Sequence, residues 1–104
     1  MAFVKVASLA SLPPGSVTEV TVGEDPYAIC NMNGELHALS GRCPHAGGRM
    51  GHGNVRENLI ICPWHAWAFD WRTGENDYDP TLKLDRYAIK AEGDDILVDT
   101  ESRA

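Results

Sequence analysis

The sequence predicts an all-β domain, and three observations carry that expectation. Apolar residues alternate over short runs, turn-forming residues punctuate those runs, and no segment keeps a helical period over three turns. Residues 3–7 alternate until Pro13-Pro14-Gly15 interrupts the chain. In the next run Val17, Glu19 and Thr21 share one face, while Thr18, Val20 and Val22 share the other. Residues 23–26 turn the chain, residues 27–31 form a strand, and Asn33-Gly34 is a strong hairpin signal before the return strand 35–40. Residues 55–61 read as one strand ending in Leu59, Ile60 and Ile61, and residues 66–71 as another around Phe69. Residues 86–91 and 96–99 form a last pair across Glu92-Gly93-Asp94-Asp95, and the polar residues 100–104 are expected to fray. That makes about eight strands, with two loops inserted after the fourth and fifth.

The whole chain, residues 1–104, reads as a single domain without internal repeat, linker or low-complexity tract. A formal charge of −6 argues against nucleic acid and favours partners with basic patches. Lys5 interrupts the first apolar stretch and prolines follow at once, so no signal peptide is expected. No apolar run approaches the roughly 18 residues that span a bilayer. Three cysteines, two of them in motifs, leave Cys30 alone; this excludes a disulfide framework and fits a reducing, cytoplasmic compartment.

The chemistry lies in Cys43-Pro44-His45 and Cys62-Pro63-Trp64-His65. Each motif supplies one thiolate and one imidazole, and together they complete a four-ligand metal site of Cys43, His45, Cys62 and His65. Both motifs follow predicted strands, so both sit on loops. Structural zinc accepts the same donors, but a zinc site is colourless whereas an oxidised iron–sulfur centre is red-brown. No dinucleotide glycine motif and no nucleophile–base pair accompanies them, so no catalytic residue and no small-molecule substrate are expected.

One Cys-x-His and one Cys-x-x-His resemble the Rieske pattern, and so does the run from Cys62 through Trp67, Ala68, Phe69 and Asp70 to Thr73-Gly74. The chain is similar over nearly its whole length to Rieske-type ferredoxins, the ferredoxin components of bacterial ring-hydroxylating oxygenase systems. The resemblance implies stacked antiparallel sheets with a two-loop cluster-binding subdomain at about residues 41–80. It implies a 2Fe–2S cluster, with one iron on the two thiolates and the other on the two imidazoles. It also places Pro44, Gly47, Trp64, Ala66, Trp67, Phe69 and Pro80 around the cluster, Pro80 on a third loop. Ala66 departs from the usual glycine after the second ligand histidine. High-potential relatives carry hydroxyl-bearing residues where Trp67 and Phe69 stand, and bridging cysteines where Gly48 and Trp64 stand. Loss of donors to the cluster sulfurs lowers the potential, to about −150 mV. The implied function is electron transfer from a flavin-dependent NAD(P)H reductase to a terminal oxygenase; the small subunit of an assimilatory nitrite reductase is the alternative. The length leaves no room for an oxygenase's catalytic iron domain.

Other candidates have simpler readings. Cys30, mid-strand, is expected to be a small buried residue and His52 a solvated loop residue. His37 reads as a strand-face residue. Trp67 and Trp71 are read as sharing one face with Phe69 opposite, all three as core packing.

Overall fold

A computed structural model describes residues 3–42, 49–57, 59–63, 67–79 and 81–103. Its strands are β1 (Val4–Ser8), β2 (Ser16–Val22), β3 (Asp25–Met32), β4 (Glu35–Ser40), β5 (Asn54–Arg56), β6 (Leu59–Ile61), β7 (Ala68–Asp70), β8 (Arg86–Glu92) and β9 (Asp95–Arg103). All pairings between them are antiparallel. Six strands form one sheet in the order β1-β9-β8-β4-β3-β2, and β5-β6-β7 form a second. The terminal strands β1 and β2 of the large sheet come into contact, so it curls back on itself. The expected all-β architecture of antiparallel sheets is thus the one observed.

The hairpins follow from turn chemistry. Asn33 at φ 57° and Gly34 at φ 95° connect β3 to β4 in register, with Met32 opposite Glu35. Asparagine and glycine tolerate this left-handed backbone best. The Asn31 side chain accepts from Gly34 N at 2.9 Å and donates to Leu12 O at 2.9 Å, tying the hairpin to the β1–β2 connection.

β3 is buried on both faces, which is why residues 26–31 lack a polar alternation. Ile29 joins Leu12, Ala38, Ile96 and Val98 inside the curled sheet. Ala28 and Cys30 point the other way, into a second core with Leu39, Met50, Ile60, Cys62, Phe69, Trp71 and Leu84. This second core joins the two sheets.

Three details differ from the sequence reading. Residues 55–61 are two strands, because the chain turns at Glu57, φ 54°, and brings Arg56 opposite Leu59. No glycine marks that turn; the Trp71 indole holds it by donating to Glu57 O at 3.1 Å. Second, Phe69 and Trp71 fall into the same core, with Trp67 packed against it, because residues two and four apart in an extended run lie on one side and not on opposite ones. Third, β9 continues to Arg103, beyond the point where fraying was expected. The register slips after Asp99, whose carboxylate accepts from Glu101 N at 3.0 Å, and pairing resumes with Tyr87 opposite Arg103.

Candidate metal centre

The described residues frame both motif loops at their bases. Gly41 N donates to Pro26 O at 3.0 Å, and Met50 N donates to Gly41 O at 2.9 Å. Arg42 and Arg49 form a β-bridge, so the two ends of the first motif loop are paired. In the second loop, Cys62 N donates to Trp67 O at 2.7 Å, which joins the two ends of that loop. Cys62 is 1% exposed and packs in the core that joins the sheets, directly after β6. The two bases are neighbours: Asn54 pairs with Ile61, and a side chain at Gly53 would collide with Ile61 O.

Of the four expected ligands, Cys62 is described; Cys43, His45 and His65 lie outside the described residues, as do Pro44, Gly47, Trp64, Ala66 and Pro80. Among the described residues no group of three or more His, Cys, Asp or Glu side chains could hold a metal ion. Trp67 is half-buried against the core and Phe69 is fully buried within it, in the same cluster as Cys62. The donor set fits a Rieske cluster: a thiol presented in a nearly dry wall beside a loop that carries imidazole, with the second Cys–His pair on the adjoining loop.

A third loop is organised by a residue that the sequence reading did not single out. Asn76, 5% exposed, donates to Ala68 O at 3.0 Å. Its carbonyl oxygen accepts from Tyr78 N at 3.0 Å and Asp79 N at 2.7 Å. The Asp79 carboxylate accepts from Thr81 N at 3.1 Å and Thr81 Oγ1 at 2.6 Å, which holds its pKa below the usual carboxylate value. The Asn-Asp-Tyr-Asp-Pro string was the available signal, because such residues bond their own backbone in turns. A cleft of about 270 Å³ opens between this loop and the start of β7, lined by Trp67, Ala68, Asn76, Asp77 and Tyr78. Tyr78 is 94% exposed.

Cys30, His37 and His52 are the remaining candidates. Cys30 is fully buried, and burial pushes its thiol up to about 12, so it stays protonated and inert. His37 is buried and stacks on Trp71 with ring centroids 4.6 Å apart. Its Nδ1 accepts from Arg86 at 2.9 Å. Burial first, then the Arg86 charge, lowers its pKa. The His52 side chain is 61% exposed, as a loop histidine should be, with Nε2 3.5 Å from Glu19.

The fold and the motif pair define an iron–sulfur protein of the Rieske class. The Rieske [2Fe-2S] domain model matches residues 2–88, and the chain belongs to that family. It carries a Rieske-type 2Fe–2S cluster and is an electron carrier rather than a catalytic enzyme. It is 34% identical to the ferredoxin component of biphenyl 2,3-dioxygenase from Rhodococcus jostii (strain RHA1), over 97% of this chain and 95% of that protein. The ferredoxin of carbazole 1,9a-dioxygenase from Nocardioides aromaticivorans IC177 superposes with a TM-score of 0.85 at 31% identity, covering 94% of this chain and 97% of the other. A protein assigned as an NADH-dependent nitrite reductase small subunit from Mycobacterium tuberculosis superposes at 0.84 with 21% identity, covering 93% of each chain, a likeness of fold alone.

Proposed function

We propose that this protein is the ferredoxin component of a multicomponent oxygenase, receiving electrons from a flavin-dependent NAD(P)H reductase and delivering them to a terminal oxygenase in the cytoplasm. The observation that carries this reading is the end-to-end similarity to the biphenyl 2,3-dioxygenase ferredoxin component, 34% over nearly the whole of both chains. Nitrite reductase small subunits share the fold at much lower identity, which favours the oxygenase reading.

Cys43 and Cys62 would hold one iron as thiolates, and His45 and His65 would hold the other through neutral imidazole nitrogens. When bound, the cluster supplies a one-electron redox centre. The chain's own residues do the rest. Core packing keeps the Cys62 side dry, and the hydrogen-bonded base of each loop limits how far the ligands move between oxidation states. Neither Trp67 nor Phe69 offers a hydroxyl to the sulfurs, which supports a potential near the low end of the Rieske range, about −150 mV. A carrier fed from nicotinamide needs a potential of that order. The net charge of −6 steers the carrier towards basic partners.

The test is reconstitution. The purified protein should be red-brown and be reduced by NAD(P)H only when a flavin reductase is present. It should then support turnover by a ring-hydroxylating oxygenase, at a rate that falls as salt rises. Reduction by a reductase without any delivery to such an oxygenase would refute the assignment.

A further inference from the structure

Glu19 lies on β2, thirty positions before the residue that it grips. Arg49 Nη1 donates to Glu19 Oε2 at 2.7 Å, and His52 Nε2 lies 3.5 Å from the same oxygen. The Glu19 side chain is 15% exposed, whereas Arg49 and His52 are 51% and 61% exposed. Its other oxygen, Oε1, is buried and has no hydrogen-bond partner among the described residues. Burying half a carboxylate unsatisfied is costly, and the contacts that offset it run to Arg49 and His52.

The strip that Glu19 holds is the return limb of the first motif loop. Arg49 forms the bridge with Arg42 at the base of that loop. Met50 is fully buried in the core that joins the sheets. Gly51 lies so close to β2 that an added Cβ would come 2.5 Å from the Glu19 Cβ and 2.6 Å from its Cα. Gly53 abuts Ile61, the residue before Cys62. A single strip is therefore clamped to the large sheet at one end and to the base of the second loop at the other.

We propose that Glu19 is a positioning residue for the cluster: through Arg49, with His52 beside it, it sets where the first ligand loop stands against the second. This rests on Cys43 and His45 being ligands. The pair Glu19–Arg49 is short, charge-assisted and largely shielded on the carboxylate side, so it holds a direction as well as a distance. A general packing role would be met by a neutral side chain of the same shape.

The experiment compares the wild-type holoprotein with Glu19→Gln, Arg49→Gln, Arg49→Lys and the double variant Glu19→Gln/Arg49→Gln. Two quantities are read: the rate of cluster loss, from the decay of visible absorbance with an iron chelator, and the reduction potential by protein-film voltammetry. Wild-type iron content and spectrum test the ligand assignment itself; the variants test the clamp. Each glutamine variant should lose its cluster about tenfold faster than wild type. Both should shift the potential in the same direction. The double variant should be no worse than the worse single, and Arg49→Lys should recover most of the loss. Arg49 is half exposed, so its variants should fold even if Glu19→Gln does not accumulate. Wild-type loss rate and potential in the Arg49→Gln protein, or additive effects in the double variant, would overturn the proposal.

Discussion

The six-stranded sheet and the three-stranded sheet share a core but differ in how much of their own order they supply. In the large sheet, β2 and β3 pair continuously from Ser16–Asn31 to Val22–Asp25, and β3 and β4 from Tyr27–Ser40 to Met32–Glu35. That sheet also encloses a private core of Leu12, Ile29, Ala38, Ile96 and Val98. The small sheet has three strands of three residues each. Its buried side chains, Ile60 and Phe69, belong to a core whose other wall is Ala28, Cys30 and Leu39 of the large sheet. Strands so short do not persist alone. The redox end therefore borrows order from the large sheet, from the strip clamped by Glu19 and Arg49, and from the cluster.

The largest expected effect breaks this comparison at its metal. Cys62→Ala or His65→Ala should abolish the cluster, and so should iron removal by chelation. Hydrogen exchange should then speed up across β5, β6 and β7 while β2, β3 and β4 keep their protection. Equal loss of protection in both sheets would show that they fold as one unit.

Next is the shared core. Phe69→Ala should cost about 3–5 kcal/mol, because a fully buried ring leaves a cavity between the sheets. Denaturant unfolding of the holoprotein reads this value, and a loss below about 1 kcal/mol would mean that the sheets repack.

A smaller effect comes from His37, which stacks across the junction on Trp71. Its folded pKa lies below its ordinary value, so the unfolded chain binds the proton more readily. The stability contributed by neutral His37 is present above the unfolded value of about 6.5 and is lost as pH falls below it towards the folded pKa. His37→Gln keeps an acceptor for Arg86 and removes the titration, so thermal melts between about pH 7.5 and about pH 5 should have a flatter pH slope than wild type. An unchanged slope would assign the acid sensitivity elsewhere.

Phe69→Tyr should raise the reduction potential, by tens of millivolts out of the roughly 450 mV that Rieske centres span, if the added hydroxyl donates to a cysteine sulfur. An unchanged potential with that hydrogen bond visible in a crystal structure would refute the donor argument. The smallest effect is at the rim. Tyr78 is exposed on a loop already ordered by Asn76 and Asp79, so it offers a rigid aromatic contact flanked by carboxylates. Tyr78→Ala should slow electron delivery to the oxygenase about fivefold without altering the visible spectrum. Stopped-flow reduction of the partner measures this, and an unaffected rate would place docking off the third loop.

Much of this was legible without coordinates. The Asn33-Gly34 turn, the β3–β4 pair and the last hairpin follow from local chemistry, since a turn type dictates its residues and a half-buried strand its alternation. The two Cys–His motifs declare their chemistry because few metals accept that donor set at that spacing. Tertiary structure alone decided the rest. β5 and β6 merge into one apolar run in the sequence, since their turn at Glu57 carries no glycine and is held by a distant indole. Glu19 reads as one polar residue in an alternating strand. Its hold on Arg49 is a contact between residues thirty positions apart, and no local period encodes a partner at that distance.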